Sequence, residues 1–313
     1  MSSAFRFLLQ AREKLYTTGI LSTVRLNQPV ISVGNLTLGG TGKTPLVIAL
    51  AEGLKSRGLR PVILSRGYRR QNREIVIAGS DWQQAGDEPC LMTQRLGDVP
   101  VVVGADRYEA GLVAERQKLG NIFLLDDGFQ HRRLHRDFDI VAVDPAEWNA
   151  GEALLPTGRW REPKAAIARA QAACVQEIAG TEMPALPIPA FLMRTQIDGL
   201  FRKGVPVAAA DLKDRAVVAF AGIAKPERFF ETLRSMGMTP VKTFAFGDHH
   251  VYSCRDIERL RGDVLVTTEK DAVRLAGPEF PDFVCLRISA KIPNFEQLLN
   301  LILERLPGGK ETL

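Results

Sequence analysis

Gly39, Gly40 and Gly42, followed at once by Lys43 and Thr44, are the residues of this chain best suited to chemistry. In the run Val33-Gly34-Asn35-Leu36-Thr37-Leu38-Gly39-Gly40-Thr41-Gly42-Lys43-Thr44-Pro45 the glycines let backbone N–H groups, that of Thr41 included, turn inward around an anion. Lys43 can then reach the β- and γ-phosphates of a nucleotide, and the Thr44 hydroxyl can sit on Mg2+. The general phosphate-loop pattern asks for glycine where Thr37 stands, so the flanks matter. Residues 29–33 read as a short buried strand and 45–55 as a helix closed by Gly58. Pro45 falls in the first turn of that helix, where a missing N–H costs nothing.

Ile122-Phe123-Leu124-Leu125-Asp126-Asp127 is an apolar strand ending in two carboxylates, the arrangement that holds Mg2+ or its coordinated water opposite a phosphate loop. Gly128-Phe129-Gln130-His131 follows, and His131 reads as a histidine hydrogen-bonded to a neighbouring carboxylate sooner than as a metal ligand. Phosphoryl transfer to a hydroxyl also needs a group that orients and deprotonates the acceptor. Gly86-Asp87-Glu88-Pro89 and Phe246-Gly247-Asp248-His249-His250 supply candidates, and each reads equally as a helix cap or loop. Leu155-Pro156-Thr157-Gly158-Arg159-Trp160-Arg161-Glu162-Pro163 suits a loop touching phosphate or sugar, or a rigid connector. In Thr267-Thr268-Glu269-Lys270-Asp271-Ala272, Lys270 can reach a phosphate, or the segment is a capping arrangement.

The elements that must position these residues alternate strand and helix. Strands are expected at 61–64, leading into Ser65-Arg66-Gly67-Tyr68, and at 99–103, 122–125 and 140–143, with a helix at 107–119. Short apolar runs without alternation suit parallel strands buried on both faces, so a doubly wound α/β domain follows, with its ligand beyond the carboxyl ends of the strands. The Gly-rich loop, Ser65-Arg66, Asp126-Asp127 and Asp144 all emerge there. A Pro-rich stretch near 183–189 and a hairpin about Asp198-Gly199 read as a linker. A second α/β series has strands at 217–220, 241–246, 264–267 and 283–286, helices at 226–236 and 253–260, and a last helix at 294–306. The expected division is a phosphate-loop domain at 1–186, a linker at 187–212 and a smaller domain at 213–313.

Composition bounds the function. The 313 residues, 45% hydrophobic and 25% charged, suffice for two cores. Cys90, Cys174, Cys254 and Cys285 form no close pair, which suggests neither a zinc site nor a disulfide framework. A net charge of +5 favours an anionic partner. Only three Trp and four Tyr, with no long basic stripe, argue against nucleic acid. Near the N-terminus, Phe5, Leu8, Leu9, Leu15 and Tyr16 share a helical face flanked by Arg6, Arg12 and Lys14. Such a helix neither spans a membrane nor directs export; it lies in a membrane surface or packs on its own domain.

Taken in order, these segments resemble the tetraacyldisaccharide 4′-kinase family of lipid A biosynthesis over nearly the whole chain. The resemblance rests on Val33-Gly34-Asn35 through Pro45, Ser65-Arg66-Gly67-Tyr68, Gly86-Asp87-Glu88-Pro89, Asp126 through His131, Leu155-Pro156 through Pro163, Asp248-His249 and Thr268 through Ala272. It implies two α/β/α domains, the first of the P-loop NTPase type. It also implies transfer of the ATP γ-phosphate, with Mg2+, to the 4′-hydroxyl of a tetraacyldisaccharide 1-phosphate, giving lipid IVA. A peripheral monomer on the anionic cytoplasmic face of the inner membrane is the implied setting. By the same resemblance Asp87 matches the acceptor-side base and His249 its support. Lys43, Thr44, Asp126 and Asp127 carry nucleotide and Mg2+, while Ser65, Arg66, Glu88, Gln130, Arg161 and Glu162 lie toward the substrate. The competing reading is a nucleotide-switch ATPase acting on a protein partner. Its phosphate loops often carry Lys where this chain has Leu38, which weakens that reading.

Overall fold

Runs such as Val101-Val102-Val103 and Ile122-Phe123-Leu124-Leu125 have no polar face, and both are strands with every residue buried. A computed structural model describes residues 2–68, 70, 71, 73–212 and 215–307. The first half runs α1 (Ser2–Thr17), β1 (Val30–Gly34), α2 (Lys43–Ser56), β2 (Pro61–Ser65), β3 (Val76–Ile77), α3 (Trp82–Ala85), α4 (Asp87–Leu96), β4 (Val101–Val103), α5 (Arg107–Arg116), β5 (Ile122–Asp126), β6 (Phe138–Val143), α6 (Pro145–Asn149) and β7 (Ala172–Gln176). The second runs β8 (Ala190–Arg202), β9 (Val205–Val207), β10 (Val217–Ala221), α7 (Pro226–Ser235), β11 (Lys242–Ala245), α8 (Cys254–Glu258), β12 (Val264–Thr268), α9 (Glu269–Arg274), β13 (Val284–Lys291) and α10 (Phe295–Arg305).

The strands follow the order β11-β10-β12-β13-β8-β7-β6-β1-β5-β2-β4-β3, with β9 paired to β8. Two parallel units are therefore joined by one strand. Ala190–Met193 of β8 pairs parallel with β7, while residues 194–201 pair antiparallel with β13. The hairpin expected in the linker turns at Lys203-Gly204, not at Asp198-Gly199. Lys203 and Gly204 have φ of 49° and 81°, the left-handed pair that a tight two-residue hairpin requires. Asp198-Gly199 instead forms a bulge opposite Arg287, where the register shifts.

The last helix also departs from the expected division. α10 places Leu298, Leu299 and Ile302 in the core of the phosphate-loop domain, alongside Leu46, Leu50 and Leu54 of α2. Gly53 makes room for it, since a Cβ there would lie 2.7 Å from the Phe295 ring. The antiparallel run of β13 along β8 carries the chain back to the first domain. α1 packs Phe5 and Leu9 beside Trp160 and Ile167, yet leaves Phe7 and Leu8 exposed, as is Ile20 just beyond it. Among the described residues no helix is long and apolar enough to cross a membrane.

Candidate active site

β1 ends at Gly34, where a Cβ would lie 2.5 Å from Phe129 Cβ and 2.7 Å from Phe129 N. Only glycine lets the loop after β5 lie against the loop after β1. Gly42 adopts φ 77° and ψ 22°, and α2 begins at Lys43 with no side-chain cap. Its first N–H groups and the positive end of its dipole are therefore left to bind an anion in the turn. Residues 155–161 run alongside: Leu38 N donates to Arg159 O (2.7 Å), and Arg161 N donates to Leu36 O (2.7 Å). Arg159 Nη2 donates to Leu38 O at 2.6 Å.

Asp126 and Asp127 emerge from β5 beside this loop. Asp126 is buried and accepts from Ser65 Oγ at 2.9 Å. Burial, then the charges of Glu88 and Asp127, push its carboxyl up to about 7. Asp127 sits at φ 49°, uncommon for a residue other than glycine. Its carboxylate lies 3.5 Å from Lys43 Nζ and accepts from Arg161 Nη1 at 2.8 and 2.9 Å. Burial works to raise it, but Lys43 and Arg161 outweigh that and hold it below the usual carboxylate range. No group of three or more His, Cys, Asp or Glu among the described residues could cage a metal. The donor set fits Mg2+ nonetheless, because that ion binds through one or two carboxylates shared with phosphate oxygens and water. A divalent cation would also relieve the proton affinity of Asp126.

Across the cleft, His249, Lys270 and Arg274 of the second domain face Asp87 and Glu88 of the first. Asp87 opens α4, is 4% exposed, and accepts from His249 Nδ1 at 2.8 Å and Arg274 Nη1 at 3.1 Å. Burial alone would raise the Asp87 carboxyl, but the His249 hydrogen bond and the charges of Lys270 and Arg274 bring it below its ordinary value. Lys270 Nζ reaches Glu88 Oε1 (3.0 Å) and His249 Nε2 (3.2 Å). Burial opposes the Lys270 charge, but Glu88, Asp87 and Asp248 stabilise it, so its pKa is raised. An ammonium has only hydrogens to offer, which makes His249 Nε2 the acceptor and leaves the proton on Nδ1, facing Asp87. His249 is held at φ 57°, with its ring 5.0 Å from that of Tyr68.

A phosphate loop, a carboxylate pair beside it and a histidine-supported aspartate across a two-domain cleft are now in place. A family model for tetraacyldisaccharide-1-P 4′-kinase matches residues 1–307. The chain belongs to that family. It is similar to the tetraacyldisaccharide 4′-kinase of Geobacter metallireducens, with 40% identity over 89% of this chain and 87% of that one. The Aquifex aeolicus relative of the same name is 37% identical over 96% of each chain. The crystal structure of LpxK from Aquifex aeolicus in complex with ATP superposes with a TM-score of 0.84, at 36% identity, covering 98% of this chain and 97% of that one.

Within this kinase family framework the residues expected from sequence separate by what they touch. Lys43, Asp127, Arg161 and Gln130 converge, with Gln130 Nε2 donating to Asn35 O at 2.9 Å. Ser65 holds Asp126, and Arg66 stands exposed at the rim. Glu162 is buried against Arg169 at 2.5 Å, so its side chain props the loop from behind. Among the described residues His131 has no carboxylate partner. Its Nε2 is buried without a hydrogen bond, and burial with Arg107, Arg136, Arg12 and Arg66 lowers its pKa to about 3. Thr268 does cap α9, so Lys270 is both part of a capped helix and part of the cleft. Two groups went unnoticed in the sequence. Arg274 is one, and Arg107, buried near Asp126 and Asp127, is another. Asp144, expected at the strand ends, accepts from Lys225 (2.7 Å) and Arg228 (2.9 Å) across the domains. Arg107 follows β4, where the strand-end rule that found Asp144 after β6 would also have pointed.

Proposed function

We propose that the protein transfers the γ-phosphate of ATP to the 4′-hydroxyl of a tetraacyldisaccharide 1-phosphate, giving lipid IVA and ADP. The observation that carries this reading is the Asp87–His249 pair, closed across the cleft that holds the phosphate loop. Lys43 and the amides opening α2 bind and orient the triphosphate, and Arg161 fixes Asp127. Mg2+, held by Thr44, Asp126 and Asp127 with phosphate oxygens, would neutralise charge on the transferring group. Asp87 accepts the acceptor hydroxyl's proton, oriented by His249 Nδ1–H. A carboxylate held below its ordinary pKa is a weak base, so alignment of the hydroxyl contributes more than proton abstraction. Closure of the two walls excludes water that would otherwise consume ATP.

Both walls come from one chain, so a monomer suffices. The exposed Phe7, Leu8, Leu15, Ile20 and Leu21, with Lys14 at the end of α1, support docking on an anionic membrane surface at the cytoplasmic face. The test is transfer of labelled γ-phosphate to tetraacyldisaccharide 1-phosphate in detergent micelles, with and without Mg2+. Asp87→Asn should lower kcat by on the order of 10²–10⁴ while ATP affinity stays within a few-fold. Label released only as free phosphate by the unaltered enzyme would instead support the nucleotide-switch ATPase.

A further inference from the structure

Arg274 ends α9 in the second domain, and its side chain is 1% exposed. Its charge is already balanced within that domain, where Nη2 pairs with Asp271 and donates to Gly222 O at 3.0 Å. Asp271 is in turn held by Tyr252 Oη (2.7 Å), Gly222 N (2.9 Å) and Thr268 Oγ1 (2.6 Å). The guanidinium therefore needs no further anion, yet Nη1 is directed across the cleft onto Asp87 Oδ2. That oxygen also accepts His249 Nδ1–H, while Oδ1 accepts the Glu88 N–H of its own helix at 2.9 Å. Both oxygens are engaged, so rotation of the carboxylate is blocked. The Gly222 carbonyl accepts from Arg274 and also from His249 N (3.1 Å). One carbonyl beyond the end of β10 thus sets both groups that grip Asp87.

We propose that Arg274 is a positioning residue, fixing the Asp87 carboxylate from the second domain so that the acceptor-side group is aligned only when the domains are together. This rests on Asp87 being the group that orients and deprotonates the acceptor hydroxyl. A planar fork suits the task, since it presents parallel N–H donors at fixed angles and keeps its charge at every working pH. The groups around Asp87 are Glu88 and Cys90 on α4, Tyr68 beyond β2, Asp248 and His249 beyond β11, and Lys270, Asp271 and Arg274 on α9. Burial and the Asp81 and Asp87 charges push Cys90 up to about 12, which leaves it protonated throughout the working range. Removing the Arg274 charge leaves Lys270 as the cationic partner and the His249 N–H as a neutral donor, so Asp87 should bind a proton more readily.

The experiment is the pH dependence of labelled phosphate transfer to tetraacyldisaccharide 1-phosphate in micelles, comparing the full chain with Arg274→Gln, Arg274→Lys and Asp87→Asn. For Arg274→Gln we expect kcat to fall by on the order of 10- to 100-fold, with the KM for ATP within about threefold. Its acid limb should move up by roughly one pH unit. Arg274→Lys should restore the limb but only part of kcat. Acid limbs identical to wild type in both variants, with kcat per folded enzyme unchanged, would show Arg274 to be a structural ion pair and overturn the proposal. Since Arg274→Gln strands Asp271 in the interior, Arg274→Lys and Tyr252→Phe decide the matter where it does not fold. Both retain a cation but displace it, and unchanged kcat in both overturns the proposal. An Asp87→Asn enzyme with full kcat and an unmoved acid limb would sink the base reading itself, a separate outcome from failure of the Arg274 variants.

Discussion

Replacing Asp144 by Asn should loosen the second domain and the phosphate loop together. Asp144 Oδ1 accepts from Ala146 N (3.0 Å) and Glu147 N (3.3 Å), capping α6, and asparagine can keep both bonds. Oδ2 accepts from Lys225 Nζ and Arg228 Nη2, and there the substitution removes the charge that both cations face. A charge-assisted hydrogen bond contributes about 1.5–3 kcal/mol net. The Lys225 and Arg228 side chains are 23% and 39% exposed, so water and salt screening reduce each to about 1 kcal/mol, or roughly 2 kcal/mol for the pair. That amounts to about a 30-fold shift toward separated domains.

The same change reaches the nucleotide site through contacts already described. Lys225 also lies 3.0 Å from Glu147, Glu147 accepts from Arg159 Nε at 3.0 Å, and Arg159 Nη2 holds Leu38 O. Freed from Asp144, this chain holds the phosphate loop less firmly, and the KM for ATP should rise about tenfold with a smaller loss of kcat. A double-mutant cycle of Asp144→Asn with Arg228→Met, read by urea unfolding and by the KM for ATP, measures the coupling directly. A coupling energy below about 0.5 kcal/mol, the level of an exposed pair, would refute the reasoning.

Gly34→Ala should cost about 1–3 kcal/mol through overpacking against Phe129, and should lower kcat because Asp127 rides on the displaced loop; a wild-type melting temperature and rate would contradict this. Asp87, Asp127 and Asp144 all have depressed folded-state pKa values, so their stabilisation is present above the ordinary carboxylate pKa and is lost as pH falls through the folded values. Asp126 has the opposite sign: its stabilisation is full below about pH 4 and is lost as pH rises through about 7. Asp126→Asn should therefore raise the melting temperature of the metal-free protein at pH 8 while abolishing transfer, and a lower melting temperature there would count against a buried, strained carboxylate. Phe7→Ser with Leu8→Ser should weaken binding to anionic vesicles in a salt-sensitive way and leave melting nearly unchanged, because both side chains are exposed; unaltered vesicle sedimentation would remove α1 from the docking surface.

What the sequence made legible is what local order encodes. An apolar run that ends in Gly-rich, Asp-Asp or Ser-Arg residues marks a parallel strand with chemistry at its carboxyl end, and β1, β2 and β5 follow that rule. Where two turns compete, local signals fail. Asp198-Gly199 and Lys203-Gly204 both carry hairpin chemistry, and the choice belongs to β13, whose long antiparallel pairing keeps β8 extended through residue 198. The same pairing delivers α10 to the first domain, though its periodicity fits either core. β7, Ala-Ala-Cys-Val-Gln, has too little bulk to announce a strand, yet every residue but the last is buried.

Charged residues divide along the same line. Glu162 and Asp87 each sit beside a basic or acidic neighbour and a proline in a short motif, and nothing local distinguishes them. Glu162 meets Arg169, seven residues away, and is buried as a prop. Asp87 meets His249 and Arg274, 162 and 187 residues away, in a cleft that exists only once both parallel units of the sheet have formed. A carboxylate gripped by groups from a separate domain reports the closure of that domain. One gripped by its own loop reports only that the loop has folded. The difference between a base candidate and a structural acid is thus a property of topology, and it explains why Arg274, with no motif of its own beyond α9, became visible only when β10 and β12 brought Gly222 and Thr268 to the same edge.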